Sequence, residues 1–218
     1  MLTGRFHDDL GVWVAAAGTV PAAPRPALFL DRDGVIVEDP GYLRSPDEMV
    51  VIPGAADLIA AANRRGIPVI EVTNQAGIAR GYFGWPEFLD IEEALAQELE
   101  RGGARIDGIF ACPYHPQGSA PWQHAAHPAR KPAPGMLLAA ARLLNLDLRR
   151  SWLVGDKVDD VLAASNAGLP GALQVLTGHG REHREPAIAR KPEGFELRLG
   201  DSIRDAAPLL DLLARDNP

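Results

Sequence analysis

The sequence predicts an α/β fold, a three-layer sandwich around a central parallel sheet, on three observations. Short apolar runs of strand length recur along the chain, segments with helical spacing of apolar residues separate them, and several runs end directly in acids, hydroxyls or amides. Single helices between strands call for parallel pairing with right-handed crossovers. The first 26 residues read as an N-terminal extension whose Pro21 to Pro26 stretch is a Pro/Ala linker, and residues 27–218 as the domain proper. Within the extension Val12 to Ala17 is apolar but follows Asp8 and Asp9 rather than basic residues, which argues against an export signal. It is expected to pack on the domain or to fray.

Ala27-Leu28-Phe29-Leu30 reads as a strand buried on both faces, ending at Asp31. Residues 54–65 carry Ala55, Leu58, Ile59 and Ala62 at helical spacing and stop at Gly66. Residues 68–73 form the next strand, 85–101 an amphipathic helix, and 106–111 a third strand interrupted by Gly108. A helix over 135–144, a strand over 152–155 and a helix over 158–166 closed by Gly168 follow. Strands at 171–177 and 195–199 and a closing helix at 203–214 complete the pattern. No internal repeat or low-complexity tract interrupts it.

Composition narrows the function classes. A chain of 218 residues, 46% hydrophobic and 23% charged, is long enough for one well-buried core. Its net charge of -7 and the lack of a basic stripe argue against nucleic acid as a partner. The single cysteine, Cys112, excludes an internal disulfide framework, and no apolar stretch approaches the roughly eighteen residues of a membrane span. A cytoplasmic monomer follows as the expectation.

In open α/β sheets ligands bind beyond the carboxyl ends of the strands. The residues there are Asp31 and Asp33 after the first strand, Thr73, Asn74 and Gln75 after the second, and Asp156 and Lys157 after the fourth, with Arg130-Lys131 in a loop before a helix. Residues two apart leave a strand on the same side, so Asp31 and Asp33 can face one ligand, and Gly34 allows a tight turn beside it. Mg²⁺ wants hard oxygen ligands, and Asp31 with Asp156 can supply two. One carboxylate can then attack phosphorus while the other gives a proton to the leaving oxygen. Thr73 offers a hydroxyl, Lys131 a compact charge and Arg130 a bidentate fork for phosphoryl oxygens. Against this stand a capped turn for Asp31 to Gly34, a helix cap for Thr73 and a surface basic pair for Arg130-Lys131. Asp159 reads as a solvated acid, and Asp160, one turn into its helix, as a buttress of the site.

In this order the elements resemble the haloacid dehalogenase-like (HAD-like) phosphohydrolase superfamily. Asp39-Pro40-Gly41-Tyr42, Thr73 to Gly81, Arg130 to Met136 and Gly155-Asp156-Lys157 look like its D-glycero-D-manno-heptose 1,7-bisphosphate 7-phosphatase branch, to which histidinol-phosphate phosphatases are close. The resemblance implies Asp31 as nucleophile and Asp33 as general acid and base. It further implies Mg²⁺ on Asp31, Asp156 and the Asp33 carbonyl, and Thr73 and Lys131 on the phosphoryl group. Asp39, Tyr42, Asn74, Gln75, Arg130 and Lys157 fall where the family contacts substrate, a small phosphorylated sugar. A strand and a helix consume most of the chain between Thr73 and Lys131, so no large cap domain is expected.

The resemblance breaks in one loop, an insertion at 112–130. The family often carries Cys-x-His and later Cys-x-Cys there to bind zinc, whereas this chain places Tyr114 and Ala129 at two of those four positions. A substitute Zn²⁺ set of Cys112, His115, His124 and His127 is one reading. A loop without metal, held by Pro113, Pro116, Pro121, Trp122 and Pro128, is the preferred one. Three functions compete: a Mg²⁺-dependent heptose bisphosphate phosphatase for cell-surface polysaccharide precursors, a phosphatase of histidinol phosphate or another small ester, and a non-catalytic phosphoacceptor signalling domain. Asp33 argues against the last, because a receiver lacks an acid at that spacing.

Overall fold

A computed structural model describes residues 4–7, 9–16 and 22–214; Pro21 of the linker and Asp8 and Ala17 of the extension lie outside the described residues. Its strands are β1 (Gly4–His7), β2 (Val12–Ala16), β3 (Leu28–Leu30), β4 (Val69–Asn74), β5 (Gly108–Cys112), β6 (Trp152–Gly155), β7 (Gly171–Gln174) and β8 (Glu196–Leu199). Its helices are α1 (Ala55–Arg64), α2 (Ala76–Ala79), α3 (Trp85–Arg101), α4 (Gly135–Leu144), α5 (Val158–Asn166), α6 (Gly180–Arg190) and α7 (Ala207–Ala214). The strands form one sheet in the order β1-β2-β5-β4-β3-β6-β7-β8, parallel from β5 to β8.

Strand alternation divides the core into two layers. Leu28 and Leu30 of β3 and Val154 of β6 join Leu58, Ile59, Ile91, Leu95, Leu99, Leu209 and Leu213 from α1, α3 and α7 on one face. Phe29, Leu153, Ile70 and Val72 turn the other way, onto Met136, Leu137, Val161, Ala164 and Ala187 of α4, α5 and α6. The sandwich therefore has three layers, as predicted, and only the short α2 and the helix α3 lie between β4 and β5.

The sheet departs from the expectation at one edge. The N-terminal extension forms an antiparallel hairpin, and β2 pairs antiparallel with β5, Val14 opposite Phe110. Its residues alternate as a strand should, Val12 and Val14 into the second core layer, Trp13 and Ala15 against Ile78, Phe88 and Ile109. Trp13 meets Phe88 edge-on at 5.4 Å, a geometry that contributes about 1 kcal/mol beyond area burial. Gly108 heads β5 rather than interrupting it, the strand predicted at 171–177 ends at Gln174, and the closing helix starts as a 3-10 turn over Ile203–Ala206. Helix α6 was not foreseen. It buries only Gly180 and Ala187, so it carries no apolar stripe to announce it.

Candidate active site

Strand order places the crevice. The chain moves from β3 to β4 on one side, while β6 pairs with β3 on the other, so the strand ends at Asp31, Asn74 and Gly155 diverge around one hollow. The Asp31 N–H donates to the Val154 carbonyl at 3.0 Å, which carries β3 pairing just past the strand and holds Asp31 at the floor.

Lys131 stands at the centre. Its buried Nζ lies 3.0 Å from Asp31 Oδ1 and 2.6 Å from Asp160 Oδ1, and donates to the Val72 carbonyl at 2.8 Å. Asp160 Oδ2 accepts from the Lys157 N–H at 3.0 Å, which fastens the first turn of α5. Asp156 Oδ2 accepts from the His179 N–H at 2.8 Å, whereas Asp156 Oδ1 is buried without a hydrogen-bond partner. Carboxylate oxygens of Asp31, Asp156 and Asp160 lie within 4.8 Å of one another.

Such crowding shows in the titration of these groups. Burial pushes the Asp31 carboxyl up to about 6, with Lys131 opposing and Asp160 reinforcing the shift. Burial likewise pushes Asp156 up to about 8, against Lys157 and with the help of Asp160 and Asp31. Burial disfavours the Lys131 charge, yet Asp160 and Asp31 outweigh it and raise its pKa. Three buried acids with an unpartnered oxygen suit a divalent cation with oxygen ligands. Gly34 and Gly178 shape the same place: a Cβ would lie 2.5 Å and 2.4 Å from Asp156 Oδ2, and both glycines have positive φ, 84° and 56°. The residues present therefore fit Mg²⁺, with Asp156 Oδ1 and Asp31 open to it, while Asp160 spends its oxygens on Lys131 and Lys157.

Asp33 is held from the opposite side. The buried Arg32 guanidinium reaches it through Nε at 3.1 Å and Nη2 at 3.0 Å, and Gln75 Nε2 donates to Asp33 Oδ2 at 3.0 Å. Arg32 Nη1 in turn donates to Glu92 Oε1 of α3 at 2.7 Å. Burial, then the neighbouring Glu92, raises the Glu71 carboxyl well above the ordinary range, and burial raises Glu92 against the pull of Arg32.

The hollow above is a cavity of about 230 Å³ lined by Asp31, Asp33, Asp39, Tyr42, Asn74, Gln75, Arg130, Lys131 and Lys157, together with His179. Most residues singled out in the sequence thus meet at one place. Thr73 does not line it: its buried hydroxyl accepts from Gln75 Nε2 at 2.7 Å. Asn74 spends its amide on the Lys131 backbone, donating to the carbonyl at 3.0 Å and accepting from the N–H at 3.1 Å, so it positions the lysine. Asp39 Oδ2 takes Lys157 Nζ at 3.1 Å and His179 Nε2 at 3.3 Å. Burial opposes the Asp39 charge, but Lys157, the Gly41 N–H and His179 hold its carboxyl below the ordinary range. His179 was missed, although it follows β7 closely and the same strand-end rule would have found it.

Among the described residues, no three of Cys112, His115, His124 and His127 bring ligand atoms within 4.8 Å of one another. Cys112 is buried at the end of β5, where burial pushes its thiol up to about 11. Each histidine has an Nδ1 that accepts a backbone N–H, from Gln117, Ala126 and Ala129 respectively.

Comparison with known proteins extends the geometry. A family model described as HAD-hydrolase-like matches residues 128–202. A D-glycero-beta-D-manno-heptose-1,7-bisphosphate 7-phosphatase of Mesorhizobium japonicum is 43% identical over 218 residues, covering 99% of this chain and 97% of its own. The crystal structure of a HAD-like phosphatase from Mesorhizobium loti superposes with a TM-score of 0.83 at 40% identity, covering 98% of this chain and 99% of that one. A D,D-heptose 1,7-bisphosphate phosphatase from B. bronchiseptica, complexed with magnesium and phosphate, gives 0.73 at 34% identity over 85% of this chain and 97% of that one.

Proposed function

The chain belongs to the HAD-like phosphatases, in their heptose 1,7-bisphosphate 7-phosphatase branch, and on that footing we propose that it removes the 7-phosphate of D-glycero-β-D-manno-heptose 1,7-bisphosphate through a phosphoaspartyl intermediate. The observation that carries this reading is the buried Lys131 bridging Asp31 and Asp160 beside the unpartnered Asp156 Oδ1, at the carboxyl edge of the sheet. A solvated turn would have no use for four buried charges.

Asp31 and Asp156, with the Asp33 carbonyl, are the proposed holders of Mg²⁺. When bound, the ion screens the phosphoryl charge and keeps Asp31 ionised against burial. Asp31 then attacks phosphorus with its free oxygen while Lys131 fixes the other; the P–O bond to the sugar breaks and Asp33 gives its proton to the leaving oxygen. Asp33, now a carboxylate, takes a proton from water, the water oxygen attacks the same phosphorus, and the P–O bond to Asp31 breaks to return the Asp31 carboxylate and inorganic phosphate. Lys131 faces the phosphoryl oxygens throughout, the electrostatic role that dominates phosphoryl transfer. Thr73 supports Gln75, which with Arg32 orients Asp33. Asp39, Tyr42, Gln75, Arg130, Lys157 and His179 bind the sugar and its second phosphate, a pocket with acceptors for hydroxyls and cations for phosphate.

We place the reaction in the cytoplasm and assign it to a monomer. Among the described residues no helix is long and apolar enough to cross a membrane. The test is phosphate release with Mg²⁺ across both anomers of the bisphosphate, histidinol phosphate and common sugar monophosphates. The expected result is a kcat/KM for the β-bisphosphate about a hundredfold above the monoesters. Equal rates across the panel would remove the heptose assignment and leave a phosphatase of another ester.

A further inference from the structure

The loop over residues 112–130 reaches the pocket through Arg130, and rings, not donor atoms, meet inside it. The Tyr114 ring lies flat on the His127 ring, centroids 3.7 Å apart and planes within 4°. Trp122 stands edge-on to Tyr114 at 5.4 Å and to Phe6 of the N-terminal hairpin at 4.9 Å. Trp85 of α3 closes on Trp122 at 6.0 Å. The hairpin turn also presses on this stack: a Cβ on Gly11 would lie 2.2 Å from the His127 ring. Tyr114 then hands the order to the site, because its carbonyl accepts from Arg130 Nη1 at 3.1 Å, and the Arg130 N–H donates to the His127 carbonyl at 3.0 Å.

The donor set is wrong for zinc. Tyr114 and the buried Ala129 occupy two ligand positions of the family pattern, and His115, His124 and His127 point their Nδ1 atoms at backbone N–H groups. His115 Nε2 faces the Arg80 guanidinium at 3.2 Å, a cationic neighbour that disfavours a second cation.

We propose that this aromatic stack, anchored on the N-terminal hairpin, takes the structural part a zinc ion would play, so that Tyr114, Trp122 and His127 are positioning residues that aim Arg130 at the substrate in a loop that binds no zinc. The inference rests on the proposed function for its kinetic readout, since Arg130 must meet a substrate to be read by KM. An arginine held on a carbonyl and pre-aimed at an anion spares the ordering cost that a loose side chain incurs on binding.

The experiment uses the full chain. Tyr114→Leu removes the stack and keeps the carbonyl that holds Arg130; it raises KM for the bisphosphate about tenfold, the scale of one weakened charge-assisted contact, and leaves kcat within about twofold. Tyr114→Phe keeps the ring and keeps the wild-type KM. Arg130→Ala raises KM further, and adding Tyr114→Leu to it changes nothing beyond about twofold, because both act through one contact. Where Tyr114→Leu does not fold, Trp122→Leu, one ring farther from the pocket, shows the same direction at smaller size. Elemental analysis of wild-type protein after incubation with Zn²⁺ and dialysis finds well below one zinc per chain. Fully additive effects, or an unchanged KM in Tyr114→Leu, overturn the inference, as does one zinc per chain whose removal raises KM. A wild type that releases phosphate from no ester would defeat the proposed function, and the zinc content still decides this inference.

Discussion

Replacing Lys131 with Met isolates the charge on which the site is built. Its ammonium is the shared partner of Asp31 at 3.0 Å and Asp160 at 2.6 Å, and it caps the Val72 carbonyl at 2.8 Å. Breaking one buried ion pair by deleting a partner costs about 3–5 kcal/mol. Because one cation serves two carboxylates here, the upper end applies, about 5 kcal/mol near pH 8, which for a chain of this size lowers Tm by about 10–20 °C. The loss must depend on pH. Asp31 is already pushed up to about 6 with the lysine present, so without it the carboxyl titrates higher still. Below about pH 5.5 Asp31 takes up a proton and sheds its repulsion with Asp160, which cuts the cost to about 2 kcal/mol. Urea unfolding of metal-free wild type and variant, followed by tryptophan fluorescence at the two pH values, reads both numbers. A variant within about 1 kcal/mol of wild type at pH 8, or an equal loss at both pH values, would refute the view of Lys131 as the central counter-ion. Turnover by the same variant falls about a hundred- to a thousandfold, as for the removal of an electrostatic stabiliser.

Three further perturbations probe the surroundings. Asp33→Asn lowers kcat by about a hundred- to ten-thousandfold, more for sugar esters than for aryl phosphates with good leaving groups; an equal loss on both would remove Asp33 from proton transfer. Asp31 and Asp156 titrate above their unfolded value of 3.8, at about 6 and about 8, so the stability they contribute is present below that value and is lost as pH rises through both. The metal-free protein should therefore melt at lower temperature near pH 8 than near pH 5.5, and Mg²⁺ should recover more at the higher pH; a flat melting profile would contradict the shifts. Gly34→Ala places a Cβ 2.5 Å from Asp156 Oδ2 at a φ of 84°, and by calorimetry should weaken Mg²⁺ binding about ten- to a hundredfold.

What was readable in the chain was local or periodic. Helices α3, α4 and α5 announced themselves by apolar spacing and flanking glycines, and β3 by an apolar run that stops at Asp31. The rule that ligands sit at strand ends then collected Asp31, Asp156, Lys157 and the Asn74-Gln75 pair without coordinates. What escaped was non-local. The hairpin strands β1 and β2 became strands because β5 offered them an edge, which nothing within the first 26 residues records. Helix α6 carries no apolar stripe and is held by Arg184, whose Nε donates to Gln174 Oε1 at 3.0 Å, and by Gln174 Nε2, which reaches the Gly180 carbonyl at 2.9 Å. Arg32 sits between the two acids that carried the argument, yet its partner Glu92 lies on α3, sixty positions away. Asn74 is engaged for the same reason, because its amide meets the Lys131 backbone fifty-seven positions away.

The central claim is that Asp31 becomes phosphorylated during turnover, and trapping that species tests it most directly. Bisphosphate labelled with ³²P at its 7-phosphate is mixed with enzyme and Mg²⁺, quenched in acid within the first turnover, and the protein is digested and mapped. The account predicts acid-stable, hydroxylamine-labile label on the peptide carrying Asp31 in the wild type, and none in Asp31→Asn. Label on another residue, or turnover by the wild type with no labelled protein, would contradict it.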